Sequence, residues 1–407
     1  MGEKKMHDLL TRIQEDFFVE MVWIILGFVL TSATLLGRWL YKKYQTKQTH
    51  KKISKLKPIT EKDLNIISIG NAMPHYEKIT VEHSNKKLFI DFPEELKEEI
   101  AKKVKKDIDP KKNPYIFHPD RSFNGQGNFN DIIAETGIAN LGDLIEKHRR
   151  IVAHDFLEKK NGAYFNGKKY GVYSIDSHGR LGEEEASVLE ICVFDTDYFT
   201  HKVFRSIYNE LKKENHPIST VERENISKYK AFTTSLGINA YVFTDSPSGE
   251  SILISRRSSA ASETRGQKPY NSTIMEGLSQ TDKDIQTGEI SVEDCLFRGL
   301  YEELGVPLKF HKDNHTEVFF HDIFLERNFF EIGLTAKVKM NANYEQDIEP
   351  LVGQDKALEI DEIVPLPFKG PELNRFISNH TFMKQGLYTL SMVAIRKQIV
   401  LKQQKGR

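Results

Sequence analysis

One segment constrains this chain more than any other: Ser291-Val-Glu-Asp-Cys-Leu-Phe-Arg298-Gly-Leu-Tyr-Glu302-Glu303-Leu-Gly305. At about 100° per residue, Val292, Cys295, Leu296, Phe297, Leu300 and Leu304 form one broad apolar arc, and Glu303 falls inside it. Ser291 with Asp294 reads as a capping box, Gly305 as the C-terminal stop, and Arg298 precedes Glu302 by one turn, where the two can pair. A carboxylate on the apolar arc is costly unless something compensates its charge. Two adjacent carboxylates at the edge of a core point to a hard divalent cation, Mg2+ or Mn2+, which takes oxygen ligands and bridges to phosphate.

The same residues resemble the signature of the Nudix hydrolases, a loop-helix-loop that binds metal and the diphosphate of a substrate. The helical half matches from Arg298 through Glu302-Glu303 to Gly305-Val306. In the loop half, Gly277 takes the place of the first glycine and Glu289 that of the first glutamate, with eleven residues between them and eight more before Arg298, a stretched version of the family's spacing. Gly299 stands where the family has a further glutamate, so one usual carboxylate is missing. The flanking segments are similar too. Asn239–Asp245 and Ser251–Arg257 read as a hairpin around Pro247-Ser-Gly, Val318–Leu325 and Asn328–Val338 alternate as strands do, and Glu359-Ile-Asp-Glu-Ile looks like a later acidic strand.

What this resemblance implies is a set of expectations. Glu302, Glu303 and Glu289 would hold the metal, with Arg298 aligning Glu302. Glu359 ranks first, ahead of Glu331, to supply the missing ligand or the general base. Arg256 or Arg257 would meet substrate phosphate, and Gly277 would shape the loop. The activity implied is metal-dependent hydrolysis of a nucleoside diphosphate linked to a second group.

Near the start of the chain, Met21 to Gly37 runs seventeen residues without a charge. At about 1.5 Å per residue this covers about 25 Å, and Trp39, Leu40 and Tyr41 extend it toward the thickness of a hydrocarbon core. Arg38, Lys42, Lys43, Lys47, Lys51, Lys52, Lys55 and Lys57 follow with no acid before Glu61, so the positive-inside rule puts the bulk of the chain in the cytoplasm. The expectation is one helix in the cell inner membrane. The basic run also suits contact with the lipid bilayer.

The remaining composition is less pointed. The 407 residues carry 58 basic and 58 acidic side chains, which argues against coating of nucleic acid, and only two cysteines, Cys192 and Cys295, which suggest no disulfide framework. Between the basic run and residue 235, Glu94–Lys106 reads as a lysine-rich amphipathic helix, Asn140–Lys159 as another, and Tyr164–Ile175 as strands turning at Asn166-Gly167 and pairing with Ser187–Phe194. Asp195-Thr-Asp-Tyr-Phe-Thr-His leads into a helix through Lys213, with Tyr198, Thr200 and His201 read as cap and packing.

The sequence therefore predicts an α+β protein with a single N-terminal transmembrane helix, a small α+β middle domain and a C-terminal Nudix-like α/β/α sandwich with a mixed sheet. The divisions fall at 1–20, 21–41, 42–60, 61–235 and 236–407. This order of parts resembles the membrane-anchored Nudix effectors of bacterial cyclic-oligonucleotide anti-phage signalling, which implies activation by a cyclic nucleotide and assembly as a homo-oligomer. Two other classes remain open: a non-catalytic nucleotide sensor, and an effector that disrupts the bilayer through clustered helices.

Overall fold

Short apolar runs on both sides of Pro247-Ser-Gly249 predict a hairpin, and strands β5 (Leu236–Ser246) and β6 (Gly249–Arg257) form it, with Val242 opposite Leu253. Gly249 sits at φ +110°, a conformation open to glycine. In the computed structural model these strands are the centre of the protein; residues 64–70, 75–107, 117–158, 166–178, 187–247, 249–259, 268–284, 286–313, 316–354 and 359–406 are described. The other strands are β1 (Ile66–Ser68), β2 (Lys78–Lys87), β3 (Lys168–His178), β4 (Val188–Asp197), β7 (Tyr270–Asn271), β8 (Ile274–Gly277), β9 (Glu317–Glu326), β10 (Glu331–Asn343) and β11 (Ile360–Pro367). The helices are α1 (Glu94–Asp107), α2 (Asn130–Thr136), α3 (Leu141–Glu158), α4 (Tyr198–Lys213), α5 (Val292–Leu304), α6 (Leu308–Asp313), α7 (Gly370–Asn379) and α8 (Lys384–Gly406).

The larger sheet runs β1-β9-β10-β5-β6-β11, with β8 added to β5 and β7 to β6. It is mixed, because β10 lies parallel to β5 while its other pairings are antiparallel. Side chains alternate across it. Ile238, Ala240, Val242 and Leu253 join the core that includes Leu296, Leu300 and Leu304 of α5. Tyr241, Phe243, Ile252 and Ile254 point the other way, into a core shared with Leu373 of α7 and Leu390, Val393 and Ala394 of α8. Helices thus cover both faces.

The second sheet, β2-β4-β3, pairs β2 with β4 in parallel and β3 with β4 in antiparallel. Asn166 does not serve as a simple turn residue. Its side chain accepts from Phe199 N at 2.8 Å and donates to Asp197, tying the entry of β3 to the start of α4. Asp197 caps that helix by accepting from Thr200 N at 2.8 Å, and Phe199 stacks on Phe92. Thr200 accepts from Ile90 N and His201 pairs with Thr234, so both stitch packed segments together. The two sheets share one continuous core. Tyr170 N donates to Leu278 O, Gln280 donates to Lys169 O at 2.8 Å, and Arg205 of α4 pairs with Glu331 of β10 at 2.9 Å. The stretch 61–235 also gives β1 to the larger sheet, where Leu64 and Ile66 pack on Phe324 and Tyr388.

The α+β organisation with mixed sheets is as expected, but the membrane part of the expectation is corrected. Among the described residues no helix is long and apolar enough to cross a membrane. The longest of these, α8, carries Lys384 and Arg396, and burying such charges in hydrocarbon is costly. The segment 21–41, like all of 1–63, lies outside the described residues. A single-pass inner-membrane placement with cytoplasmic C-terminal domains is accordingly withdrawn.

Burial raises the Asp197 carboxyl from 3.8 to about 6, against the lowering effect of its bonds from Thr200 and Asn166. A carboxyl raised in the folded state binds its proton more tightly there, so its contribution is fully present below 3.8 and lost as pH rises through about 6. Asp197→Asn removes this titration. Relative to the variant, the wild type should lose on the order of 3 kcal/mol of unfolding free energy between pH 3.5 and 7.5, read by urea denaturation at each pH; parallel curves would refute the shift.

Candidate active site

Helix α5 forms where the sequence places it because both ends are fixed. Ser291 accepts from Asp294 N at 3.0 Å, and at the far end Gly305 (φ +78°) and Val306 donate to Tyr301 O and Leu300 O. Gly305 has a second reason to be glycine, since a Cβ there would lie 2.7 Å from the backbone carbon of Val352. The buried face carries Cys295, Leu296, Leu300 and Leu304, each fully buried aliphatic side chain contributing about 2 kcal/mol. Together they offset the cost of burying Glu303 among them.

Arg298 organises the half-exposed edge of this helix. Its Nε and Nη2 donate to the two oxygens of Asp282 at 2.7 and 2.8 Å, and Nη2 also donates to Gly277 O at 2.9 Å. Nη1 lies 3.0 Å from Glu302 and 3.0 Å from Glu276, so one guanidinium nitrogen holds two carboxylates side by side. Burial alone would favour neutral Arg298, but Asp282 and Glu276 override it and raise its pKa. Asp282 is itself 3% exposed and accepts from Ser279 N.

Glu303 lies deeper, at 2% exposure. Its Oε1 accepts from Met275 N at 3.1 Å, while Oε2 has no hydrogen bond and stands 3.7 Å from Arg257 Nη1. Burial pushes its carboxyl well above the usual range; Arg257 opposes the shift, and Glu359 and Glu276 reinforce it. Arg257, also 2% exposed, donates through Nη2 to Glu359 at 2.7 Å. Five carboxylates and two guanidiniums therefore interlock between α5, β6, β8, the loop that follows β8 and the start of β11.

Of the residues expected at the site, Arg298, Glu302, Glu303, Glu359, Arg257 and Gly277 come together. Arg256, on the neighbouring position of β6, instead pairs with Asp361 at 2.6 Å and Glu362 at 3.0 Å. Glu331 faces α4, bound to Arg205. Glu289 is exposed on a loop and lines a groove with Ile79, Val81, Lys168 and Tyr170. Two members were not anticipated, Glu276 and Asp282. The Ser279-x-x-Asp282 spacing, which closes a turn through Ser279 N, was a signal available for the second.

Among the described residues no group of three or more His, Cys, Asp or Glu side chains, as the side chains stand, could hold a metal ion. The donor set nevertheless suits a hard divalent cation: it is all carboxylate oxygen, and the buried Oε2 of Glu303 lacks a hydrogen-bond donor.

No family model matches the sequence, and no curated protein matches it. Among solved structures, the Nudix domain of Shewanella oneidensis NrtR complexed with ADP ribose is similar at 14% identity and TM-score 0.26, over 43% of this chain and 98% of that one. A Caenorhabditis elegans Ap4A hydrolase is similar at 12% identity and TM-score 0.24, over 41% and 98%. A MutT/nudix family protein from Enterococcus faecalis follows at 13% and 0.20, over 38% and 54%. At these values the likeness alone assigns neither family nor activity to the chain.

Asp282→Ala would leave the Arg298 guanidinium without its two-pronged partner. Loss of one member of a buried ion pair costs about 3 kcal/mol, so the variant should unfold at clearly lower denaturant; an unchanged midpoint would show that Asp282 does not anchor the helix.

Proposed function

We propose that this protein is a Nudix-type hydrolase that cleaves a phosphoanhydride bond in a nucleoside diphosphate derivative, with Mg2+ or Mn2+ as cofactor. The observation that carries this reading is the arrangement on α5: a buried Glu303 with an orphaned oxygen, next to a Glu302 that Arg298 holds at 3.0 Å. Glu302 and Glu303 would hold the cation. When bound, it supplies neutralising charge for the phosphate oxygens and acidifies water.

The chain's own groups account for the rest. Asp282 binds both prongs of Arg298, so that arginine is committed to orienting carboxylates and does not reach substrate. Glu359 would take a proton from the attacking water, a role supported by its 40% exposure and its tether to Arg257. Hydrolysis adds that water to one phosphorus, breaks its bond to the bridging oxygen and releases two phosphate-terminated products. Arg256 is engaged with Asp361 and Glu362, so a role on substrate phosphate would require it to leave them.

Gly299, which removes a helix carboxylate, favours a second reading in which the same site binds a nucleotide derivative without turning it over. Activation by a cyclic nucleotide in antiviral defence was tied to the order of parts that began with a membrane anchor. With the anchor withdrawn, it forms no part of this proposal.

Purified protein with Mg2+ and a panel of NAD, ADP-ribose and nucleotide sugars should release phosphate-containing products. Glu303→Gln and Glu302→Gln should each lower the rate by about a hundredfold or more while preserving the circular dichroism spectrum. Undiminished turnover in Glu303→Gln would rule out the assignment, and saturable binding with no turnover in the wild type would favour the sensor.

A further inference from the structure

Gly299 sits on the buried face in the middle of α5, where glycine costs about 1 kcal/mol relative to alanine. The reason it is tolerated lies across the interface. A Cβ at 299 would come within 2.9 Å of Ile274 Cγ2, 3.0 Å of Glu276 Cβ and 3.3 Å of Glu276 Cγ. The stem of Glu276, reaching over from β8, fills the volume that a side chain on the helix would take.

The carboxylate at the end of that stem is placed accordingly. Position 299 is one turn before Glu302 and Glu303, so a side chain there would lie on their face of the helix. Glu276 reaches the same place from the strand: its Oε1 accepts from Gly277 N at 2.9 Å and lies 3.0 Å from the Arg298 nitrogen that also holds Glu302. Its Oε2 has no hydrogen-bond partner among the described residues, and the residue is partly exposed. The charge of Glu276 is also felt at Glu303, whose buried Oε2 is itself without a hydrogen bond.

We infer that Glu276 is a metal-ligating residue, supplying from strand β8 the carboxylate that helix α5 lacks at Gly299. This rests on the hydrolase reading above and makes Gly299 part of an exchange of positions between strand and helix. The close fit explains why the two positions cannot both carry long side chains. It also defines the third member of the donor set, Glu276 with Glu302 and Glu303.

The test is Mn2+ binding by the full-length protein, followed by electron paramagnetic resonance and by water-proton relaxation, which reads the number of exchanging waters on the bound ion. Glu276→Gln keeps the stem that packs on Gly299. It should weaken Mn2+ binding by about tenfold or more and raise the bound-water number by one, with the melting temperature little changed; Glu289→Gln should alter neither reading. Wild-type affinity and hydration in Glu276→Gln, alongside lost affinity in Glu302→Gln, would overturn the inference and leave the hydrolase reading standing. Weakened binding with no added water would make Glu276 a positioning residue for Arg298 and likewise overturn it. A wild-type protein that binds no Mn2+ would remove both.

Discussion

The guanidinium of Arg298 is the hub on which the site depends. Two of its nitrogens are taken by Asp282, a third holds Glu302 and Glu276 together, and the Gly277 carbonyl completes its hydrogen bonding. A bidentate pair fixes direction as well as distance. The loop that carries Asp282, the strand that carries Glu276 and the helix that carries Glu302 are therefore held in register by one side chain. Below it, Arg257 does the same for Glu303 and Glu359. The site is built as two adjoining charge clusters, one centred on Arg298 and one on Arg257.

The neighbouring carboxylates repel one another, and the arginines make their proximity tolerable. Glu303 shows the balance most clearly. Its burial opposes ionisation, Arg257 favours it, and Glu359 and Glu276 oppose it again. A site poised in this way has a strong electrostatic demand for positive charge, which is why the donor set is read in terms of a cation.

The local features of the site were legible in the sequence. The Ser291 cap and Gly305 stop of α5, its apolar arc, the inward Glu303 and the β5–β6 hairpin follow from short-range rules of periodicity and turn chemistry, and each has its counterpart in the structure, although Ser291 N donates to Asp282 O and does not close the capping box with Asp294. What could not be read were contacts made across the fold. Glu276 matters because β8 pairs with β5 and so faces α5, and nothing in the sequence near Gly299 announces that approach. Arg256 and Arg257 are adjacent and chemically alike, yet strand alternation sends one to Asp361 and the other into the core. Glu331, ranked as a possible ligand, belongs to the contact between the two sheets. The uncharged run at 21–41 and its basic flank lie outside the described residues, among which no helix is long and apolar enough to cross a membrane.

Strand β1 has a consequence for how the chain assembles. Ile66 pairs with Glu326, roughly 260 positions downstream, and its neighbour Leu64 rests on Tyr388, close to the C-terminal end. Such a seam can close only after almost everything between has been made, and non-local closure of this kind slows folding. Until then β9 is an open edge, able to accept a strand from another molecule. A truncated chain lacking residues 64–68 would be left with that edge uncapped, and in the intact chain a segment made early must wait for β9 before it finds its place.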